Sequence, residues 1–262
     1  MKRPTLSDKL ALIAMTEKVV RKNPTSGREG LVEELFKAGA HFGFIKSRRH
    51  PSVLPYIFGE KDKIEIFNLE RTSEELEKAL DFIESKGKEN ASIIFVGGKS
   101  EAREAIRSTA SELEMPYVAG RWIGGTLTNF GEIKKRLARL DELTGQRERG
   151  ELAKWTKKER LLIDREIDKL EIFFGGLTSM KALPKMLVVI DPKKEHIAVD
   201  EALKIGIPVM ALAGSDSNLH ELDYPIPGND ASKHSIAFVL NKIKEAYIKG
   251  RKEGKEEKTE EK

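Results

Sequence analysis

Apolar residues in this chain follow two kinds of pattern, and the switching between them sets the expected architecture. Ile93-Ile94-Phe95-Val96, Met186-Leu187-Val188-Val189-Ile190 and the stretch from Gly206 to Leu212 are almost continuously apolar. Such runs suit strands buried on both faces of a parallel sheet. Ile64-Glu65-Ile66-Phe67 alternates as a strand does, and Pro116-Tyr117-Val118-Ala119 gives another short one. Between these runs apolar residues step by three and four, the helical period: Leu76, Leu80 and Ile83; the segment ending at Leu113; the segment from Glu195 to Lys204; and Ile236, Val239, Leu240, Ile243 and Tyr247. Thr72-Ser73-Glu74-Glu75 reads as a capping box opening the first of these. A further helix is expected from Glu29 to Ala38, closed by Gly39. About five strands alternating with helices predict an α/β fold, a doubly wound parallel sheet.

One segment breaks the alternation. Phe130, Ile133, Leu137 and Leu140 form a narrow seam on one helix, and Ile163, Ile167, Leu170 and Phe174 repeat it on a second that Thr156-Lys157-Lys158-Glu159 opens. Two seams joined by a polar connection predict an antiparallel helical hairpin inserted into the sheet domain. The expected organisation is therefore an N-terminal extension over 1–28, a discontinuous α/β domain over 29–127 and 175–248, the inserted hairpin over 128–174, and a charged, disordered tail over 249–262. Residues 41–59 carry no regular pattern.

Composition narrows the chemistry. The chain has 262 residues, of which 39% are hydrophobic and 34% charged, with a net charge of +4. That balance is mildly basic, so nucleic-acid binding depends on where the cations cluster. The absence of cysteine excludes disulfides, thiolate metal sites and Cys nucleophiles. The apolar run near the N-terminus is short and flanked by acids, unlike a secretory signal, and no stretch approaches a membrane span. A cytoplasmic chain is expected. The five histidines form no ligand set, and no Ser-His-Asp order is present, so neither a catalytic residue nor a metal or other cofactor is expected.

Basic residues do cluster. Lys46, Arg48, Arg49 and His50 precede Pro51 on a loop, where a solvated surface and an RNA contact fit equally well. They are expected to position RNA rather than to hold the fold. Gly97-Gly98-Lys99-Ser100 lacks both the phosphate-loop and the dinucleotide spacing, so it is read as a strand-to-helix turn whose Lys99, with Arg103 beyond it, could meet a phosphate. Arg121-Trp122-Ile123-Gly124-Gly125 joins a strand to the hairpin; Trp122 could stack on a base or pack beneath the hairpin, packing being the commoner role of Trp. Lys134, Lys135, Arg136 and Arg139 make a basic helix face just beyond it. An enzyme reading would begin at the strand ends, with Asp191 as acid, base or metal ligand, but Asp-Pro after a strand is more simply a turn.

The residues also resemble a known family. His41-Phe42-Gly43, the basic loop through Pro51, Pro55 to Gly59, Phe95-Val96-Gly97, Arg121 to Asn129, Thr156 to Glu159, Phe174 to Leu177, Asp191 to His196 and Ile226 to Asp230 are similar, in order, to the bacterial small-subunit ribosomal protein two family. The resemblance implies a flavodoxin-like sheet with an inserted hairpin. It implies a non-catalytic constituent of the small ribosomal subunit that binds its RNA and helps anchor ribosomal protein one. It further implies a chain that is not a homo-oligomer, with no membrane partner. Three departures limit it: Phe44 stands where many members have a second histidine, which weakens a metal role for His41; Asn218 to Asp223 differs from the usual loop; and residues 1–28 lie beyond the usual start.

Overall fold

The computed structural model describes residues 28–260. The expectation for the N-terminal extension therefore lies outside the described residues, apart from Arg28. Helix α1 (Arg28–Lys37) ends at Gly39, whose φ of +74° is the left-handed conformation that glycine adopts at a helix end without strain. Strands β1 (Phe42–Ile45), β2 (Ile57–Lys61) and β3 (Ile64–Phe67) follow, then α2 (Leu69–Lys88), β4 (Ile93–Val96), α3 (Ser100–Leu113) and β5 (Tyr117–Val118). The chain continues through α4 (Phe130–Glu148), α5 (Lys157–Phe174), β6 (Met186–Ile190), α6 (His196–Ile205), β7 (Val209–Ala213), β8 (Tyr224–Pro227) and α7 (Lys233–Glu260).

The central sheet has five parallel strands in the order β5-β4-β6-β7-β8. Counted along the chain this is 2-1-3-4-5, the flavodoxin-like order. Alternate side chains of each strand feed two cores. Ile94, Val96, Leu187, Val189, Val209 and Ala211 face one side; Ile93, Phe95, Met186, Val188, Ile190, Met210 and Leu212 face the other, against α2, α3 and α7. This two-sided burial is why the strands read as unbroken apolar runs.

Strand membership differs from expectation. Ile64–Phe67 does not join the parallel sheet but sits at the centre of a separate antiparallel sheet, β1-β3-β2. The fifth parallel strand is Tyr224–Pro227, whose two prolines hid it; as an edge strand beside β7 it tolerates the missing N–H groups. Two strands, β1 and β2, occupy the region from 41 to 59 that carried no regular pattern. In β3 the alternation expected of a strand buries Glu65 and Phe67 and leaves Ile64 exposed. Helix α2 is capped by Asn68, whose Oδ1 accepts from the Glu70 and Arg71 amides, rather than by a Thr72 box. Thr72 instead donates its hydroxyl to the Pro227 carbonyl at 2.8 Å.

The charged tail is a second correction. Helix α7 continues to Glu260 instead of ending near 248. Gly250 and Gly254 lie so close to α2 that an added Cβ would overlap the backbone of Glu84 and of Lys88, and Gly87 of α2 meets Tyr247 in the same way. Close backbone approach and the pairs Lys249–Glu84 and Lys88–Glu253, both 2.9 Å, hold the last turns in place of apolar burial. The hairpin is as expected: α4 and α5 pack through Ile133, Leu137, Leu140, Ile167 and Leu170, and Thr156 with Glu159 forms a complete capping box. Among the described residues no helix is long and apolar enough to cross a membrane.

Candidate nucleic-acid interface

The loop Arg121–Asn129 leaves β5 and turns into α4, and a single carboxylate organises it. Glu201, on α6, is buried. Its Oε1 accepts the Trp122 indole N–H at 3.2 Å and the Gly125 amide at 2.6 Å; its Oε2 accepts the Leu127 and Thr128 amides at 2.9 and 3.1 Å and the Thr128 hydroxyl at 3.2 Å. Burial pushes the Glu201 carboxyl up, but the amides of Thr128, Leu127 and Gly125 and the indole outweigh it and hold the group below the usual carboxylate range. Gly125 has φ +91°, the turn that lets successive amides converge on one anion. The glycines thus serve an internal carboxylate, and Trp122, 4% exposed, is buried in the apolar cluster shared by the sheet and the hairpin seam. It does not offer its ring to a base.

The carboxyl ends of the parallel strands form the second candidate. At the switch point between β4 and β6, a cleft of about 440 Å³ is lined by Phe44, Arg48, Lys99, Asp191, Lys193 and Asp216, among others. Its charges answer one another. Lys99 pairs with Asp191 at 2.8 Å and with Asp230 at 2.9 Å; Arg48 and Lys193 each reach Asp216 at 3.0 Å. Burial works against the Lys99 ammonium, but Asp230 and Asp191 outweigh it and raise its pKa. Asp230 is 1% exposed; burial pushes its carboxyl up to about 6 although Lys99 pulls the other way. Asp191 has φ +64° and accepts the Lys194 amide at 3.1 Å, so it is a turn residue as well as an ion partner. An added Cβ on Gly98 would lie 2.7 Å from both the Glu195 carboxylate and the Gly120 carbonyl, so that glycine permits close chain packing rather than a phosphate cradle.

The other proposed contact residues divide by whether the fold uses them. Arg49 is not the free loop cation expected from the sequence: Nη1 donates to Glu65 Oε1 at 2.9 Å, and Glu65 is 0% exposed. Lys99 is likewise committed. Arg48 is half exposed, with its guanidinium 4.8 Å over the Phe44 ring as well as on Asp216. His50 accepts the Ser52 amide on Nδ1 and so caps the turn Pro51–Tyr56. Lys46 makes an exposed pair with Glu60, and Arg103 reaches the Gly98 carbonyl at 3.5 Å. Lys135 pairs with Glu132, and Arg139 with Glu142 and Glu166. Arg121, Lys134 and Arg136 are exposed and make no ion pair among the described residues; Lys134 lies 5.2 Å over Phe130. These three lie at the base of the hairpin.

The residues to which sequence reasoning gave no role are acids: Glu201, Glu65, Asp216 and Asp230. Glu65 left a signal, as a carboxylate within an otherwise apolar strand, and Asp216 left one by its place at a strand end. His41 is buried between the rings of Phe36, 4.5 Å away, and Phe42, 4.0 Å away. Burial lowers its pKa to about 4. Among the described residues no three His, Asp or Glu side chains are grouped to hold a metal ion.

The chain is similar to known proteins over most of its length. The sequence profile of the family described as ribosomal protein S2 matches residues 35–250. The small ribosomal subunit protein uS2 of Coprothermobacter proteolyticus is 41% identical over 220 residues, 84% of this chain and 82% of its own. The protein of the same name from Nitratiruptor sp. is also 41% identical over 220 residues, with the same coverage. That of Salinispora arenicola is 44% identical over 237 residues, 87% of this chain and 85% of its own.

Proposed function

Because this chain belongs to the ribosomal protein S2 family, a family of structural and non-catalytic ribosome components, we propose that it is built into the cytoplasmic small ribosomal subunit by contacts to small-subunit RNA. The observation that carries the RNA reading is the trio Arg121, Lys134 and Arg136, exposed and without ion partners where the hairpin leaves the body. Cations that the fold does not neutralise are those free to meet phosphates. Lys46, Arg48, His50 and Arg103 are the second set, each held by the protein but still open to solvent or at its edge.

In this reading residues 128–174 are an arm that lies on the assembled subunit, and the discontinuous domain over 29–127 and 175–248 is the body that carries it. The protein acts as one copy and helps anchor ribosomal protein one; the family resemblance supports that last role. The test is sedimentation of the tagged full chain with small subunits across a salt series, with ribosomal protein one followed in the same fractions. Association that weakens steeply with salt supports phosphate contacts. Salt-independent association, or subunits that hold ribosomal protein one equally well without this chain, would remove the RNA or the anchoring part respectively.

A further inference from the structure

The chain has two tryptophans, and the structure separates their roles. Trp122 is buried on Glu201, whereas Trp155 is 43% exposed at the far tip of the hairpin, between a short turn (Glu151–Lys154) and the start of α5. Arms of 19 and 18 residues carry this tip about 27 Å from the base. A single exposed ring is ordinary on a protein surface; what sets this one apart is the charge around it.

The surroundings specify the partner. Between Arg147 and Arg160 six basic residues stand against three acidic ones. Two of those acids are already engaged: Glu151 with Arg149, and Glu159 with the amide and hydroxyl of Thr156 in the capping box. Lys154, Lys157 and Lys158 flank the indole with no salt bridge among the described residues, Glu151 attracting Lys154 only at longer range. Beneath them Leu152 is buried and the cap is complete, so the ring sits on an ordered turn. An apolar protein surface laid on this tip would strip water from three ammonium groups and return nothing. A nucleic acid answers both features, since a base offers a face to the indole and its flanking phosphates answer the lysines.

We propose that Trp155 stacks on an unpaired base of small-subunit RNA, with Lys154, Lys157 and Lys158 against the neighbouring phosphates. The tip is then an RNA contact remote from the basic base of the hairpin, and the proposal rests on the RNA-binding reading above. The experiment uses the full chain and purified small-subunit RNA, which contributes no tryptophan emission. The forms compared are the unaltered protein, Trp155→Phe, Trp155→Ala and the double variant Lys157→Ala/Lys158→Ala.

RNA should quench the emission of the unaltered protein but not that of Trp155→Phe, where only the buried Trp122 remains. Trp155→Phe should keep most of the affinity because phenylalanine also stacks. Trp155→Ala should lose about tenfold or more at an unchanged melting temperature. The double lysine variant should flatten the salt dependence. Tight, salt-dependent RNA binding with no quenching and no loss in Trp155→Ala would overturn this proposal while leaving the RNA-binding reading intact. Loss that appears only on intact subunits, and not on naked RNA, would assign the tip to a neighbouring protein and overturn it as well. No RNA binding by any form would sink the RNA-binding reading, and this proposal with it.

Discussion

Arg49 and Arg136 carry the same charge, but the fold treats them oppositely, and the contrast extends to the two regions they represent. In the α/β body the notable cations turn towards carboxylates that the chain supplies: Arg49 to Glu65, Lys99 to Asp191 and Asp230, Arg48 and Lys193 to Asp216. On the hairpin and its base, Arg121, Lys134, Arg136, Lys154, Lys157 and Lys158 are exposed and lack such partners. The lesson is that a basic cluster in sequence marks a binding surface only after the buried acids have been subtracted. The same subtraction applies to the anion-binding loop at Gly124-Gly125, which Glu201 fills from within.

The largest effect is expected at Glu201, where body and hairpin meet. Glu201→Ala leaves the Trp122 indole and the Leu127 amide buried without acceptors, and should cost about 3–5 kcal/mol, since hydrogen bonds to a charged group are each worth about 1.5–3 kcal/mol. Glu201→Gln should be nearly as damaging, because both oxygens accept from N–H groups and an amide would set a donor against donors. A chemical melt in which Glu201→Gln matches the unaltered protein would show that the loop is held by something else.

Arg49 comes next. Removing it strands Glu65, which is fully buried, so Arg49→Ala should destabilise by about 3 kcal/mol, the lower end for a broken buried pair because the arginine itself is partly exposed. Arg48→Ala should be much milder, since Lys193 remains on Asp216. Equal and small losses in the two variants would return the loop to the free RNA-binding surface that its sequence suggested.

The strand-end cluster gives a smaller effect with a distinctive sign. Asp230 has an ordinary pKa of 3.8 when unfolded and about 6 when folded. The native state therefore holds more protons between these values, and this group makes the protein more stable as pH falls from about 6 towards 3.8. Glu201, with its pKa lowered, acts in the other direction: its stabilisation is present above the ordinary carboxylate value and lost as pH falls through the folded one. In Asp230→Asn the first contribution disappears, while Lys99 keeps Asp191 at 2.8 Å. The melting temperature of the unaltered protein minus that of the variant should rise between pH 7 and pH 4. A difference that stays flat or falls would mean Asp230 titrates normally.

Much of this was legible in the sequence, for a physical reason. Buried strands and a two-helix seam are local patterns of apolar residues, so the parallel sheet, the hairpin and the Thr156 cap could be read directly. What depended on distant partners could not. The alternation of Ile64-Glu65-Ile66-Phe67 does not say which face is buried; Glu65 points inward, where Arg49, on another loop, neutralises it. The tail after residue 248 lacks apolar residues, yet it is helical because Gly250 and Gly254 fit against the α2 backbone. Tyr224–Pro227 carried no strand reading because its prolines disguise an edge strand. At the candidate interface the basic residues were visible, whereas the acids that select among them lay far away in sequence.

The smallest stability effect should come from the region where function is proposed. Arg121, Lys134 and Arg136 are exposed and form no ion pair among the described residues, so replacing all three by alanine should move stability by no more than about 0.5 kcal/mol at Arg121 and at Arg136. Lys134 has the most to lose, as its ammonium lies over the Phe130 ring at 5.2 Å, an exposed contact worth about 0.5–1 kcal/mol. RNA affinity should respond very differently. Each phosphate contact removed lowers the magnitude of the log–log salt slope by somewhat less than one, so the triple variant should lose about 2 from it. A variant that unfolds early would place these cations with Arg49, as parts of the fold. One that melts normally and keeps the full salt slope would move the RNA contact elsewhere, leaving the hairpin tip and the Lys46–His50 loop as the surfaces to test.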